Sequence, residues 1–101
     1  MAKKLIILGA GESGVGTAIL GKKKGFEVFV SDFGKIKEKY KQVLIHNEFK
    51  WEEGGHSVSQ ILKADVAMKS PGIPDSAPII MELNKAGVPV ISEIEFAAKY
   101  T

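Results

Sequence analysis

Residues 9–14 read Gly9-Ala10-Gly11-Glu12-Ser13-Gly14, a G-x-G-x-x-G loop set between an unbroken apolar run and a helix-patterned stretch. In that setting Gly9 allows a tight turn, Gly11 lets the backbone approach a ligand, and Gly14 lets the helix pack on the strand. The free N–H groups at the helix start attract an anion, so the loop points to a nucleotide carrying a phosphate or pyrophosphate. Ser13 is placed either to cap the helix or to bond a ligand oxygen. Glycines that merely pack a strand on a helix would leave a similar trace, but strand, loop and helix here stand in the register an anion site needs.

Asp32 lies about twenty residues after Gly11, at the end of the second apolar run, where an acid accepts hydrogen bonds from a ribose diol or a base N–H. A turn aspartate ahead of Gly34 is the plainer reading. Residues 70–74, Ser70-Pro71-Gly72-Ile73-Pro74, make a stiff loop, because two prolines fix φ and one glycine permits close approach. His56 reads as a helix-start residue, His46 as a helix end, and Trp51 as core with a partner for its N–H. Residues 16–23 nearly fit the G-x-x-x-x-G-K-[ST] phosphate loop. However, Lys23 stands where the hydroxyl is needed and the segment falls inside the first helix, so it is rejected.

These residues need a scaffold, and the pattern along the chain supplies one. Strands are predicted at residues 5–8, 27–31, 49–52, 65–69 and 88–91, and Pro89 makes the last an edge strand. Helices are predicted from Ser13 to Lys24, from Lys35 to about Ile45, briefly after Ser57, after Asp75 or Ser76 with Pro78 in the first turn, and from Ser92 to Tyr100. Capping boxes are read at residues 57–60 and 92–95. Five strands alternating with helices predict a Rossmann-like, doubly wound α/β fold with a five-stranded parallel sheet in the order 3-2-1-4-5. Its switch point falls between the first and fourth strands, so the glycine loop and residues 70–74 flank one crevice.

Composition bounds the rest. At 101 residues the chain has room for one domain, and 45% apolar residues suffice for a globular core. The absence of cysteine excludes disulfides and thiolate metal sites, and two histidines, His46 and His56, are too few for a histidine-based one without carboxylate help. A net charge of +2 is too mild to argue for nucleic acid, and the lysines at 22–24 and 35–41 read as a solvated face. No apolar run reaches the roughly 20 residues of a membrane span, and the first is too short for a signal peptide, so a cytoplasmic protein with no membrane partner is expected.

Residues 9–14, Asp32, Gly54-Gly55-His56, residues 70–74 and Ser92-Glu93-Ile94-Glu95-Phe96 together resemble the N-terminal domain of the Mur ligases, within the branch that adds D-glutamate. The resemblance runs over essentially all 101 residues. It implies the first of three domains of a peptidoglycan-synthesis enzyme, excised from the rest and not catalytic alone. This domain would hold the UDP of UDP-N-acetylmuramoyl-L-alanine and carry no cofactor. A central domain would bind ATP and Mg2+, and a C-terminal domain would bring D-glutamate. ATP would activate the substrate carboxylate as an acyl phosphate for attack by the amine. Carried over by position, Glu12 and Ser13 match loop contacts to the diphosphate. Asp32, Phe33 and Gly34 match the segment around the uracil, and Ser70 and Gly72 match the second loop. Glu12 departs from a frequently uncharged position. Gly34 stands where some members carry an arginine, a charge Lys35 is near enough in sequence to replace.

The glycine loop and Asp32 also fit an NAD- or FAD-binding module of an oxidoreductase or redox regulator, and a ligand-free partner-binding domain is a third reading. Residues 70–74 and 92–95 favour the ligase domain, since a full dinucleotide fold needs a second half.

Overall fold

In the computed structural model, which describes residues 2–100, the first apolar run forms β1 (Lys4–Leu8). Successive strand side chains point to opposite faces. Leu5 and Ile7 therefore enter one buried cluster, and Ile6 and Leu8 enter another. Burial on both faces is why this strand is apolar throughout.

The chain continues through α1 (Glu12–Lys23), β2 (Glu27–Asp32), α2 (Glu38–His46), β3 (Lys50–Glu53), α3 (Val58–Ile61), β4 (Val66–Lys69), α4 (Pro78–Lys85), β5 (Val90–Ile91) and α5 (Glu93–Tyr100). The strands form one sheet in the order β3-β2-β1-β4-β5, and every pairing is parallel. This is the predicted doubly wound topology. Val15 and Ala18 of α1, Leu44 of α2 and Phe96 of α5 pack in the cluster with Leu5 and Ile7. Ile61 of α3 and Ile80 and Leu83 of α4 pack on the opposite face with Ile6 and Leu8. The chain changes faces after β3, and this opens the switch point between β1 and β4.

Local signals explain most element ends. Ser92 Oγ accepts from the Glu95 N–H at 3.1 Å, and Glu95 Oε1 accepts from the Ser92 N–H at 3.0 Å, so the second capping box forms as expected. Residues 16–23 lie within α1, where the near-match to a phosphate loop has no loop to form. β5 is an edge strand, and the Pro89 carbonyl still accepts from the Ala67 N–H at 2.9 Å.

Other ends differ from the sequence expectation. α2 starts at Glu38 rather than Lys35, because the Ile36 N–H is drawn to Glu53 Oε1 at 2.8 Å and Lys37 keeps an extended backbone. Ser57 precedes α3 but does not cap it with its side chain; its hydroxyl donates to Glu52 Oε1 at 2.6 Å. The residue before α4 is Ala77, with no side-chain cap, while Asp75 pairs with Lys69 Nζ at 2.9 Å. Trp51 is half-buried against the core rather than within it, with Lys41 Nζ 5.7 Å from its ring centre.

Candidate functional site

The loops after β1, β2, β3 and β4 gather at one edge of the sheet and enclose a crevice of about 550 Å³. Residues 9–11 line it from the first loop, Asp32 and Phe33 from the second, and His56 from the third. Residues 70–74 and the start of α4, residues 77–79, complete the wall. It lies outside the carboxyl ends of the strands at the switch point, where open α/β sheets take ligands.

The three loop glycines answer to different demands. Gly9 has φ +95°, and a Cβ there would sit 2.8 Å from Ser70 Oγ. Gly14 lies against the Gly9 carbonyl and Ile7, with no room for a side chain. Gly11 has φ −88° and nothing within 4 Å of where its Cβ would be. Nothing within the fold requires glycine at position 11; the space it leaves opens onto the crevice.

Gly11 is also the N-terminal boundary of α1, and no side chain caps that helix. The first amide groups of a helix have no intrahelical acceptor. Such free amides favour an anion, and the helix dipole adds to that preference. Ser13 does not cap the helix; its carbonyl accepts from Thr17 Oγ1 at 2.9 Å. Glu12 is exposed, and Glu12, Ser13 and Gly14 flank the crevice without lining it.

Asp32 closes the floor of the crevice. Its Oδ2 accepts from the Ala10 N–H at 2.8 Å and its Oδ1 from the Gly34 N–H at 2.9 Å. The turn aspartate is therefore real, and it also ties β2 to the glycine loop. A carboxylate oxygen has two lone pairs, so each Asp32 oxygen can still accept from a ligand hydroxyl. Gly34 contributes that backbone donor and is not part of the wall. Phe33 is 76% exposed beside the crevice, and its ring centre stands 5.8 Å from that of His56 at an interplanar angle of 45°.

The opposite wall is stiff. Ser70 Oγ donates to the Gly9 carbonyl at 3.1 Å, joining the two loops directly. Lys69 Nζ holds the same loop from behind through the Ile73 carbonyl at 2.8 Å. Gly72 has φ +97°, and no atom lies within 4 Å of where a Cβ would stand, so backbone geometry accounts for this glycine and the space beside it is open.

His56 belongs to the site, contrary to its reading as a helix-start residue. Its Nδ1 lies 2.6 Å from the hydroxyl of the fully buried Ser31, which donates to Glu52 Oε2 at 2.7 Å. Glu52 Oε2 accepts as well from the Ser57 N–H at 2.7 Å. Burial opposes ionisation of Glu52, but the bonds from Ser57 and Ser31 outweigh it and hold its carboxyl below the usual range. Burial pushes the His56 imidazole down, against the pull of Glu52 and Asp32. The start of α4 is a second part of the wall that the sequence reading does not include. The signal for both was topological, since the third strand lies beside the second and the fourth helix follows the Pro-rich loop.

A family model described as the MurD N-terminal domain matches residues 4–78. This chain belongs to the MurD N-terminal domain family. A UDP-N-acetylmuramoylalanine–D-glutamate ligase from Christiangramia forsetii is 60% identical over 101 residues, covering all of this chain and 23% of that protein. One from Bacteroides thetaiotaomicron is 59% identical over 99 residues, covering 98% of this chain and 22% of the relative. Among solved structures, a pseudomurein peptide ligase type C from Methanothermus fervidus superposes with a TM-score of 0.82 at 32% identity, over 98% of this chain and 20% of that one. The UDP-N-acetylmuramate-alanine ligase MurC of Thermotoga maritima, at 18% identity over 95% of this chain and 22% of its own, shares the fold with a TM-score of 0.78. This MurD-type domain thus spans under a quarter of the length of the relatives it matches.

Proposed function

We propose that this domain holds the UDP part of UDP-N-acetylmuramoyl-L-alanine for a cytoplasmic ligase that adds D-glutamate in peptidoglycan synthesis. One observation carries the reading: the uncapped start of α1 and the Asp32–Phe33 pair open onto the same crevice. The diphosphate meets the free amides near Gly11, Ser13 and Gly14, with Gly9 and Gly14 shaping the loop. The ribose diol donates to Asp32, the uracil lies along Phe33 beside Gly34, and Ser70 and Gly72 form the facing wall. Glu12 stays at the rim. The relatives' names support this substrate, and their greater length supports a ligase whose other steps lie in further domains.

Among the described residues, no three His, Cys, Asp or Glu side chains are gathered to hold a metal ion. The residues of this chain bind and orient the nucleotide. ATP with Mg2+, held by a central domain, supplies the activation of the substrate carboxylate, and a C-terminal domain brings D-glutamate. No described helix is long and apolar enough to cross a membrane.

The test is amide chemical-shift mapping with UDP and with UDP-N-acetylmuramoyl-L-alanine. Saturable changes at Gly11, Ser13, Asp32 and Gly72 are expected. Saturable binding of NAD with no response to either UDP compound would overturn the reading in favour of a dinucleotide module.

A further inference from the structure

We infer that His56 is a specificity-determining residue of this crevice, accepting a hydrogen bond through Nε2 from the N3–H of the bound uracil. The inference rests on the UDP reading above and follows from counting protons beneath the crevice. Ser31 Oγ and both Ser57 donors converge on Glu52 at 2.6–2.7 Å, so Glu52 is an acceptor throughout. The Ser31 hydroxyl has a single proton, and its 2.7 Å contact with a pure acceptor commits that proton to Glu52. The 2.6 Å contact between Ser31 Oγ and His56 Nδ1 then requires the ring to donate. His56 is thereby held as the Nδ1–H tautomer, and its Nε2 carries a lone pair.

Nε2 has no protein partner among the described residues, and the ring lines the crevice beside Phe33. Hydroxyl groups rotate to suit either a donor or an acceptor, so a fixed tautomer discriminates only between fixed groups. The uracil ring offers one fixed donor, N3–H. Asp32 and His56 are the titratable side chains lining this crevice, and Glu52 is the charged group packed beneath the ring. Protonation of His56 leaves the Nδ1–H bond to Ser31 in place and removes only the Nε2 acceptor.

Three measurements test this. Nitrogen-15 spectra of the imidazole should show protonated Nδ1 and bare Nε2 in the free protein, and Ser31→Ala should release the ring toward the Nε2–H form. Nε2–H in the unaltered protein would overturn the inference. Second, affinity for UDP-N-acetylmuramoyl-L-alanine should stay level above about pH 6.5, the ordinary histidine value, and fall as further acidification protonates His56, whose imidazole burial pushes down. His56→Gln should lose that dependence. Tightening on acidification would overturn the inference, because it would place a cationic ring against the diphosphate. Third, N3-methylation of UDP should weaken binding to the unaltered protein about five-fold, the scale of one neutral hydrogen bond. It should cost His56→Phe no comparable loss. Equal losses in both proteins would sink the inference while leaving the UDP reading intact. Absence of any UDP binding would remove both.

Discussion

Gly11 and Gly14 separate binding from folding within one loop. An alanine at position 14 drives a methyl group onto the Gly9 carbonyl, a backbone atom that cannot step aside without moving the turn. Gly14→Ala should therefore cost about 1–3 kcal/mol or more, the range for overpacked sites, read from the chemical denaturation midpoint. At position 11 an alanine meets no atom and keeps an ordinary φ. Gly11→Ala should change stability by no more than about 1 kcal/mol, yet weaken UDP binding in a titration. The buried network adds a pH dependence. The folded pKa values of both His56 and Glu52 are lowered. A group of that kind stabilises the fold above its unfolded pKa and loses the contribution as pH falls through the folded value. Stability should therefore decline below about pH 6.5 as the unfolded state takes up a proton at His56, and decline further below about pH 4.5 as Glu52 follows. Denaturation midpoints across that range should show both steps, with the upper one absent in His56→Gln.

At the scale of elements, helix starts show where local signals stop being enough. The spacing of Ser92 and Glu95 is sufficient to identify the cap of α5, because no distant group among the described residues competes for either side chain. Ser92→Ala should lower stability by about 1 kcal/mol and speed hydrogen exchange in the first turn of α5. The same kind of spacing at Ser57 misleads, because Glu52 captures that hydroxyl across a turn. Asp75 is likewise drawn away from the α4 start by Lys69. Strands are easier to read, since burial on both faces leaves an apolar run such as residues 5–8. The glycine loop then marks which strand is central, and the order follows. His56 escapes a sequence reading because its partner Ser31 lies 25 residues earlier, and only the pairing of β2 with β3 brings them together. Residue identity shows Asp32 and Ser70 as candidates. It cannot show that each is also a structural clamp.

At the scale of the whole molecule, one side of the switch point sets the start of α1 beside Asp32, Phe33 and His56, and the other is a proline-stiffened, largely apolar wall. Under the proposed reading that division holds the nucleotide and leaves activation of the carboxylate to other domains. Incubated with ATP, Mg2+, D-glutamate and UDP-N-acetylmuramoyl-L-alanine, this chain alone should release no ADP in a coupled assay; measurable turnover would show that the domain assignment is wrong. The bridge from Ser70 to the Gly9 carbonyl has a further consequence for how sequences with this fold can diverge. A side chain at position 9 would collide with Ser70, and a larger residue at position 70 would press on the loop at 9. Because a φ of +95° keeps position 9 a glycine whatever stands opposite, no change at position 70, 61 residues away, can free it, and a lineage that enlarges residue 70 must rebuild the mouth of the crevice.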